Sequence, residues 1–415
     1  MKKNTVKLAM YLNYFVFAIL LNSVGIVIFK SQLNYGVDEL QASILEAYKD
    51  LPIAIVSFLI ASFLPRIGYK KAMLAGLSLV TLACLGMYFG NSFDMAKVLF
   101  ATVGVSFALI KVSVYSLIGT VTNNQKEHNS LMSSIEGVFM IGIALAYFLF
   151  PAFNSVQDPD AWLNVYWLLA AISFLSFLFL FFTKFEKEVA IPGANFMDDF
   201  AQMFQLFAKL LTIVFVISAF LFVMIEQGIM SWLPTFNSKV LHLPENISIM
   251  MASILAISLA AGRLLAGVLT RKINWIWILS FCITMAMLLV VFVLPQTVGL
   301  DVKEINSLGD IPLIGFAFPI VGLFIAPIYP LLNSVVLSAL PKSLHSAMTG
   351  LIVVFSALGG TMGSRIVGYL FKNVGPENAF YYTLIPMSLL LVSFFILKKL
   401  TANNLDVLAV NNKGH

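Results

Sequence analysis

The sequence contains few charged residues, few cysteines and few histidines. Charged residues make up 11% of its 415 residues, whereas soluble globular proteins contain about 25%. Its 2 cysteines, Cys84 and Cys282, fall within long apolar runs, which argues against a disulfide framework and a thiolate metal site. Its 4 histidines are too scattered to predict a metal site. A phosphate-binding loop and a nucleophile constellation are also missing, so neither ATP-driven transport nor catalysis is predicted, and no cofactor is expected.

Long apolar runs occupy most of the chain. Hydrophobic residues make up 60% of the sequence, and the mean hydropathy is +0.94. A helix needs about 20 mostly apolar residues to cross a bilayer, and the alternating segments of a strand barrel are not found. The pattern predicts an all-α membrane protein. Its twelve predicted transmembrane helices lie at residues 7–30, 42–64, 72–91, 96–121, 131–153, 162–183, 209–235, 246–270, 275–295, 311–339, 346–371 and 378–398.

Several prolines lie inside these predicted spans, among them Pro52, Pro319, Pro327 and Pro330. A proline lacks the backbone N–H that a helix interior needs, and it breaks a soluble helix. A packed membrane helix tolerates it with a kink. We therefore expect the spans to continue through these positions.

The basic residues are distributed unevenly over the predicted loops. If residue 1 is cytoplasmic, most of the 25 lysines and arginines fall on the inner side, and the positive-inside rule places both termini in the cytoplasm. This excess accounts for the net charge of +5 without a nucleic-acid partner. The first apolar stretch is too long for the core of a cleavable signal. We expect a multi-pass protein of the plasma (inner) membrane.

The chain divides into two halves that resemble each other weakly. The longest polar insertion, 185–208, separates an N-terminal six-helix bundle at 1–184 from a C-terminal bundle at 209–415. Apolar residues recur at helical spacing within the insertion, which predicts an amphipathic helix at the inner interface, serving either as a connector or in gating. An offset of 218 residues places Gly104 on Gly322 and Ser116 on Ser334. Such repeated halves are common in secondary transporters.

The loop between spans two and three carries a family signature. Residues 61–71 read Ala-Ser-Phe-Leu-Pro-Arg-Ile-Gly-Tyr-Lys-Lys, which resembles the G-x-x-x-D-R-x-G-R-K-K loop of the major facilitator superfamily. The matching residues, which the resemblance implies form a gating loop, are Arg66, Gly68, Lys70 and Lys71. Ala61 and Pro65 depart from the pattern. The resemblance implies two six-helix bundles around a central site and a small-molecule substrate exposed alternately on the two sides of the bilayer. We expect a monomer.

Within that superfamily, the chain resembles the fucose:proton symporter type. The similar stretches are 42–75, 262–272, Tyr329-Pro330 and 359–375. This likeness implies a sugar or sugar derivative as substrate and a proton as the coupling ion. The chain departs from this type at one important position: Lys111 occupies the place in span four where those symporters have a carboxylate.

Eight ionisable residues lie at depth in the predicted spans, away from the span ends, four acidic and four basic: Glu46, Lys49, Asp50, Lys111, Glu136, Glu226, Arg263 and Arg365. Each costs about 2.5–3.5 kcal/mol at the bilayer centre. They must therefore pair with one another or face water. Glu46, Lys49 and Asp50 have i, i+3 and i+4 spacing, which places all three on one helix face. A polar cavity beside this face is predicted.

The buried charges have several candidate roles. We assign proton coupling first to Asp50, then to Glu46, with Lys49 and Glu136 as neighbours. A carboxylate whose surroundings change during transport can bind and release a proton. Lys111 either binds an anionic or hydroxyl group of the solute, forms a displaceable pair with Asp50, or belongs to a permanent structural ion pair. Glu136 either closes an inner gate or contacts the solute.

Polar side chains in the spans complete the predicted solute site, which comprises Lys111, Tyr48, Tyr115, Gln227, Glu226, Tyr329 and Asn333. The sequence thus predicts a secondary transporter for a small polar solute, a sugar or sugar derivative, driven by proton-coupled uptake. An organic anion, zwitterion or peptide is the alternative substrate. A non-transporting membrane receptor or scaffold is the competing class, and it does not need eight buried charges.

Overall fold

A computed structural model describes residues 2–61, 64, 68–123, 125–155, 157–185, 205–270, 272–297, 307–340 and 344–413. This part of the chain is helical and contains no β-strand. Its α-helices are α1 Lys2–Asn22, α2 Val24–Asn34, α3 Glu39–Ala42, α4 Ile44–Ala61, α5 Tyr69–Gly90, α6 Phe93–Val121, α7 Gln125–Leu149, α8 Asn164–Phe182, α9 Leu210–Lys239, α10 Glu245–Leu269, α11 Trp275–Thr297, α12 Leu313–Ala317, α13 Val321–Ile325, α14 Ile328–Ser338, α15 His345–Asn373, α16 Pro376–Ala379 and α17 Leu384–Lys413. Short 3₁₀ turns lie at Pro151–Phe153, Ala161–Leu163, Leu308–Asp310 and Phe380–Thr383.

The helices confirm the predicted all-α membrane fold. Within the described ranges, 11 helical segments are long and apolar enough to cross a bilayer. The remaining predicted span is α4, an 18-residue helix that carries Glu46, Lys49 and Asp50. These three charges distinguish it from the other spans, because the apolar part of each of those contains at most 2 charged residues. Counting α4, the described residues contain the twelve spans that the sequence predicts.

The chain forms two compact units, Met1–Asn195 and Phe196–His415. The first contains the spans from α1 to α8, and the second contains those from α9 to α17. The predicted amphipathic helix belongs to the insertion 185–208, of which 186–204 lie outside the described residues. That helix stays a prediction.

Two predicted spans are interrupted well away from their ends. The first is divided at Ser23 into α1 and α2, and span ten is divided into α12, α13 and α14. Pro319 lies in the turn between α12 and α13, and Pro327 is the residue that precedes α14. The helix therefore stops at these two prolines instead of continuing through a kink, because each removes a donor from the helical ladder. Pro52 and Pro330 lie within helices, as expected.

Close backbone contacts fix corresponding helix pairs in the two units. In the first unit α4 packs against α6, and Gly104 lies so near the carbonyl oxygen of Lys49 that a Cβ would overlap it. In the second unit α10 packs against α13, and a Cβ on Gly322 would lie 2.8 Å from the carbonyl oxygen of Leu255. Gly104 and Gly322 are the residues that the 218-residue offset superimposes. The weak sequence repeat thus corresponds to a repeated packing contact.

Candidate functional site

One lysine lies between two carboxylates on α4. Lys49 donates a hydrogen bond from Nζ to Oε1 of Glu46, and its Nζ lies 3.4 Å from Oδ1 of Asp50. The exposed fractions are 0% for Glu46, 4% for Lys49 and 8% for Asp50. The i, i+3 and i+4 spacing produces this arrangement because one turn of helix brings all three side chains to the same side. With every group ionised, the cluster carries one net negative charge.

The side of α4 that carries this cluster is held near α6. Gly104 contacts the backbone of Lys49, and a Cβ at Gly104 would also lie 3.2 Å from Cβ of Pro52. Because α6 has no side chain at this position, the two helices approach each other closely. The position of the charged cluster therefore depends on α6.

Lys111 of α6 is surrounded by aromatic rings. Its Nζ lies 5.8 Å from the ring centroid of Phe107 and 5.9 Å from that of Tyr115, within the range of cation–π attraction. Lys111 forms no ion pair with any residue that the structure describes. The predicted displaceable Asp50–Lys111 pair is not formed in this structure. Asp50 has Lys49 beside it on its own helix, and that lysine provides its counter-charge.

Tyr115 connects α6 to α7. Its hydroxyl donates a hydrogen bond of 2.5 Å to Oε1 of Glu136, and its ring stacks on Tyr14 of α1 at 6.1 Å between centroids. Glu136 also interacts electrostatically with Lys111. The structure thus brings together Lys111, Tyr115 and Glu136, three of the predicted site residues.

Tyr48 lies on a different side of α4 from the charged cluster. It is 39% exposed, and the exposed residues Ile55 and Leu59 follow it at i+7 and i+11 on the same helix face. The structure does not bring Tyr48 together with Glu46 and Asp50, although all lie within two turns of one helix.

The second unit contains a second polar cluster. Arg263 of α10 donates from Nη2 to Oε1 of Glu226 on α9 at 3.2 Å. On α14, the hydroxyl of Tyr329 lies 3.2 Å from Oγ of Ser356, and its ring stacks on Phe222 at 5.5 Å. Both Glu226 and Arg263 interact electrostatically with Tyr329.

Two further predicted residues lie beside this cluster. Asn333 is one helical turn after Tyr329 on α14 and is half-buried. Gln227 follows Glu226 on α9 and is half-buried as well. The structure therefore brings Glu226, Tyr329 and Asn333 together with Arg263, which sequence reasoning considered only as a buried charge.

The predicted gating loop is described in part. Arg66 lies outside the described residues. Gly68 has φ +92°, a backbone conformation that favours glycine, and it immediately precedes α5. Lys71 is exposed at the first turn of that helix. The backbone conformation at this position therefore explains why the signature has a glycine here.

Lys70 of the same loop caps another helix. Its Nζ donates hydrogen bonds of 2.8 Å and 2.7 Å to the carbonyl oxygens of Phe181 and Thr183, at the end of α8. A cation at a helix C-terminus satisfies carbonyl groups that lack intrahelical donors and opposes the negative end of the helix dipole. The side chain joins α5 to α8.

Sequence reasoning missed Phe107, Tyr14 and Ser356. Phe107 lies four residues before Lys111, and Tyr115 lies four residues after it, so the helical spacing could have indicated aromatic rings on both sides of the ammonium group. Tyr14 and Ser356 lie on other helices, and no local pattern points to them.

The sequence pattern of the Major Facilitator Superfamily matches residues 8–364. The chain belongs to this superfamily. As a major facilitator protein it is a multi-pass membrane transporter and not an enzyme. No curated protein sequence is significantly similar to the chain.

Solved structures share the major facilitator fold over nearly the whole chain. A bacterial homologue of the human lysosomal transporter Spinster, in an inward-facing and occupied conformation, has 14% identity and a TM-score of 0.77, with 97% of this chain and 98% of that chain covered. The E. coli fucose:proton symporter has 13% identity and a TM-score of 0.63, with 96% of this chain and 99% of that chain covered. A D-xylose-proton symporter has 13% identity and a TM-score of 0.67, with 96% and 97% covered. At these identities the likeness concerns the fold alone.

Proposed function

We propose that this major facilitator protein is a proton-coupled secondary transporter that takes up a small polar solute, a sugar or a sugar derivative, by alternating access. The observation that carries the proposal is the buried cluster on α4, where Lys49 is shared by Glu46 and Asp50. Two carboxylates with one ammonium group leave one negative charge, and the binding of one proton removes it. A cluster of this kind changes its charge by one when it exchanges a proton.

Asp50 is the group to which we assign the exchangeable proton. It is more exposed than Glu46, at 8% against 0%, and its contact with Lys49 is longer than the hydrogen bond that Glu46 accepts. A weakly held carboxylate is neutralised at lower cost than one whose hydrogen bond with an ammonium group must first be broken. Glu46 and Lys49 then keep each other charged while Asp50 binds and releases the proton.

Two polar clusters support a hydroxylated solute. Lys111, Tyr115 and Glu136 offer an ammonium donor, a hydroxyl and a carboxylate in the first unit. Glu226, Tyr329 and Asn333, with the half-buried Gln227, offer further donors and acceptors in the second. Two of the proteins with the same fold are symporters of fucose and xylose. A sugar presents several hydroxyl groups that such side chains bind.

A solute that carries a carboxylate is the second candidate. The observation that favours it is the ammonium group of Lys111, which forms no ion pair with the described residues. An ammonium–carboxylate hydrogen bond contributes about 1.5–3 kcal/mol. An organic anion or zwitterion would thus gain affinity at Lys111 that a neutral sugar does not.

Uptake into proteoliposomes under an imposed pH gradient tests the proposal. The solutes are offered as matched pairs, each a neutral sugar and its uronic acid, together with simple carboxylates, amino acids and peptides. We expect accumulation of a solute only when the outside is more acidic, and its loss when a protonophore collapses the gradient. If the folded protein transports none of the solutes, the result favours the receptor or scaffold class. Accumulation that is independent of the pH gradient contradicts proton coupling.

The proposal includes a monomer in the plasma membrane with both termini in the cytoplasm. The basic loops support this orientation. Cysteines placed one at a time in the loops and labelled by an impermeant thiol reagent in whole cells test it. Labelling of a cysteine that replaces Lys71 in intact cells contradicts this orientation.

A further inference from the structure

A groove runs between α5 and α8 on the surface of the first unit. It has a volume of about 490 Å³, and Leu82, Trp167 and Phe174 are among the residues that line it. The exposed fractions of these side chains are 66%, 45% and 50%. The groove therefore presents large, partly exposed apolar side chains to the surroundings.

The two hydroxyl groups in the groove do not make it polar. Ser78 donates its hydroxyl to the carbonyl oxygen of Leu74 at 2.9 Å, and Thr81 donates its own to that of Leu77 at 2.7 Å. Both hydroxyls are satisfied by the preceding turn of α5, so neither hydrogen atom is directed at an occupant. The surface that remains suits a hydrocarbon chain and not a polar solute.

One end of the groove leads to basic residues. The rings of Phe174, Phe177 and Phe181 stack in a row along α8, with centroids 6.2 Å and 6.1 Å apart. The row ends where Lys70 caps α8, with its Nζ 6.0 Å from the ring centroid of Phe181. The apolar surface is thus continuous from the groove to the cap.

Two exposed lysines lie at this end. Lys71 follows Lys70 on α5, and Lys184 follows the capped carbonyl of Thr183. Lys71 precedes Ser78 by seven residues, so both lie on the same stripe of α5. Because Lys70 donates to two carbonyl groups, Lys71 and Lys184 supply the positive charge that is available to a ligand.

We propose that the groove binds an anionic phospholipid, with one acyl chain between α5 and α8 and the phosphate against Lys71 and Lys184. Seven residues of helix from Lys71 to Ser78 span about 10 Å, whereas each leaflet contributes about 15 Å of hydrocarbon. A chain whose headgroup lies at the lysines therefore reaches the groove with its middle and end. The charge selects the headgroup, and the apolar groove holds the chain.

Photo-cross-linking in the intact, reconstituted protein tests the proposal. The probes are phosphatidylglycerol and phosphatidylcholine that carry the same diazirine-labelled acyl chain, and the labelled residues are mapped by mass spectrometry. Since each interfacial lysine contributes about a fivefold preference for an anionic lipid, we expect phosphatidylglycerol to label residues 78–85 and 167–177 at least about fivefold more than phosphatidylcholine. Unlabelled phosphatidylglycerol should compete with the probe, and unlabelled phosphatidylcholine should not.

Matched variants locate the headgroup. Lys71→Gln combined with Lys184→Gln should lower the labelling ratio to near one, whereas Lys239→Gln combined with Lys272→Gln, two exposed lysines of the second unit, should leave it unchanged. Lys70 is kept so that the cap of α8 survives. Equal labelling by the two lipids in the wild type overturns the proposal, even if the double variant does not fold. Absence of lipid labelling together with disulfide formation between copies of a Leu82→Cys variant overturns it in favour of a second copy of the chain.

Discussion

Gly104 of α6 lies directly against the carbonyl oxygen of Lys49 in α4. The contact joins the backbone of one helix to the residue that holds both Glu46 and Asp50. Any side chain at position 104 must push α4 away and move the charged cluster with it. The packing of the two helices and the position of the proposed proton site are therefore coupled through one glycine.

Substitution of Gly104 by alanine tests this coupling. The added Cβ overlaps backbone, which cannot rotate away, so we expect destabilisation of about 1–3 kcal/mol and a large loss of proton-driven uptake. Gly119→Ala on the same helix is the matched control, because no atom lies within 4 Å of the added Cβ. Thermal unfolding in detergent and uptake in proteoliposomes provide the two measurements. Unchanged uptake in a folded Gly104→Ala protein would contradict the coupling.

Asp50→Asn should separate transport from proton coupling. The amide cannot exchange a proton, so we expect accumulation under a pH gradient to fall at least tenfold while exchange of labelled for unlabelled solute continues. Asp94→Asn removes a carboxylate of α6 that is 87% exposed and pairs with Lys97, and it should leave both activities intact. Full gradient-driven accumulation by the Asp50 variant removes Asp50 from the coupling role.

Lys111→Gln should discriminate between the two candidate solute classes. The glutamine keeps a hydrogen-bond donor and loses the charge. Since a charge-assisted hydrogen bond contributes about 1.5–3 kcal/mol, affinity for a carboxylate solute should fall by about 10- to 100-fold. Affinity for a neutral sugar should change by less than about fivefold. Equal affinity of wild type and Lys111→Ala for the transported solute removes Lys111 from the binding site.

The contact between Glu127 and Lys7 predicts a loss of stability in acid. Lys7 donates a 2.7 Å hydrogen bond to Glu127, and this bond, with one from the backbone of Asn123, lowers the pKa of the carboxyl below its ordinary value. The folded state then binds its proton less readily than the unfolded state, so the contact stabilises the protein above about pH 4.3. The contribution is lost as pH falls from there through the folded pKa.

Unfolding temperatures measured between pH 3 and pH 6 check this prediction. Glu127→Gln should unfold at a lower temperature than the wild type at pH 6, and the difference should shrink toward pH 3. Lys7→Gln should show the same trend. If the difference in unfolding temperature between wild type and variant stays constant across this pH range, the charge of the Glu127 carboxylate does not contribute to stability.

Local patterns predicted most of the spans and the charged face of α4. Helical spacing alone brings Glu46, Lys49 and Asp50 together, and their cost in a bilayer makes them conspicuous in an apolar sequence. The pairing across helices could not be predicted in this way. Lys111 and Asp50 have suitable charges, but whether they meet depends on how α4 and α6 are rotated and how closely they approach. That approach depends on Gly104, which lies far from Asp50 in the sequence.

The interruptions of span ten and the cap formed by Lys70 also could not be predicted from local sequence patterns. Prolines marked the positions at which span ten is interrupted, but the difference between a kink and a break depends on which neighbours satisfy the freed carbonyl groups. The signature lysine was recognisable in the loop, whereas its acceptors on Phe181 and Thr183 lie more than a hundred residues away. No local pattern indicates such a partner.

Lys70 also restricts how the first unit can deform. Sliding α5 along α8 by one helical turn breaks both hydrogen bonds, and each bond to a charged donor contributes about 1.5–3 kcal/mol. A transport cycle that keeps both bonds must move α5 and α8 together. As long as both bonds persist, these two helices move as one body, and any bending within the first unit takes place at other helix contacts.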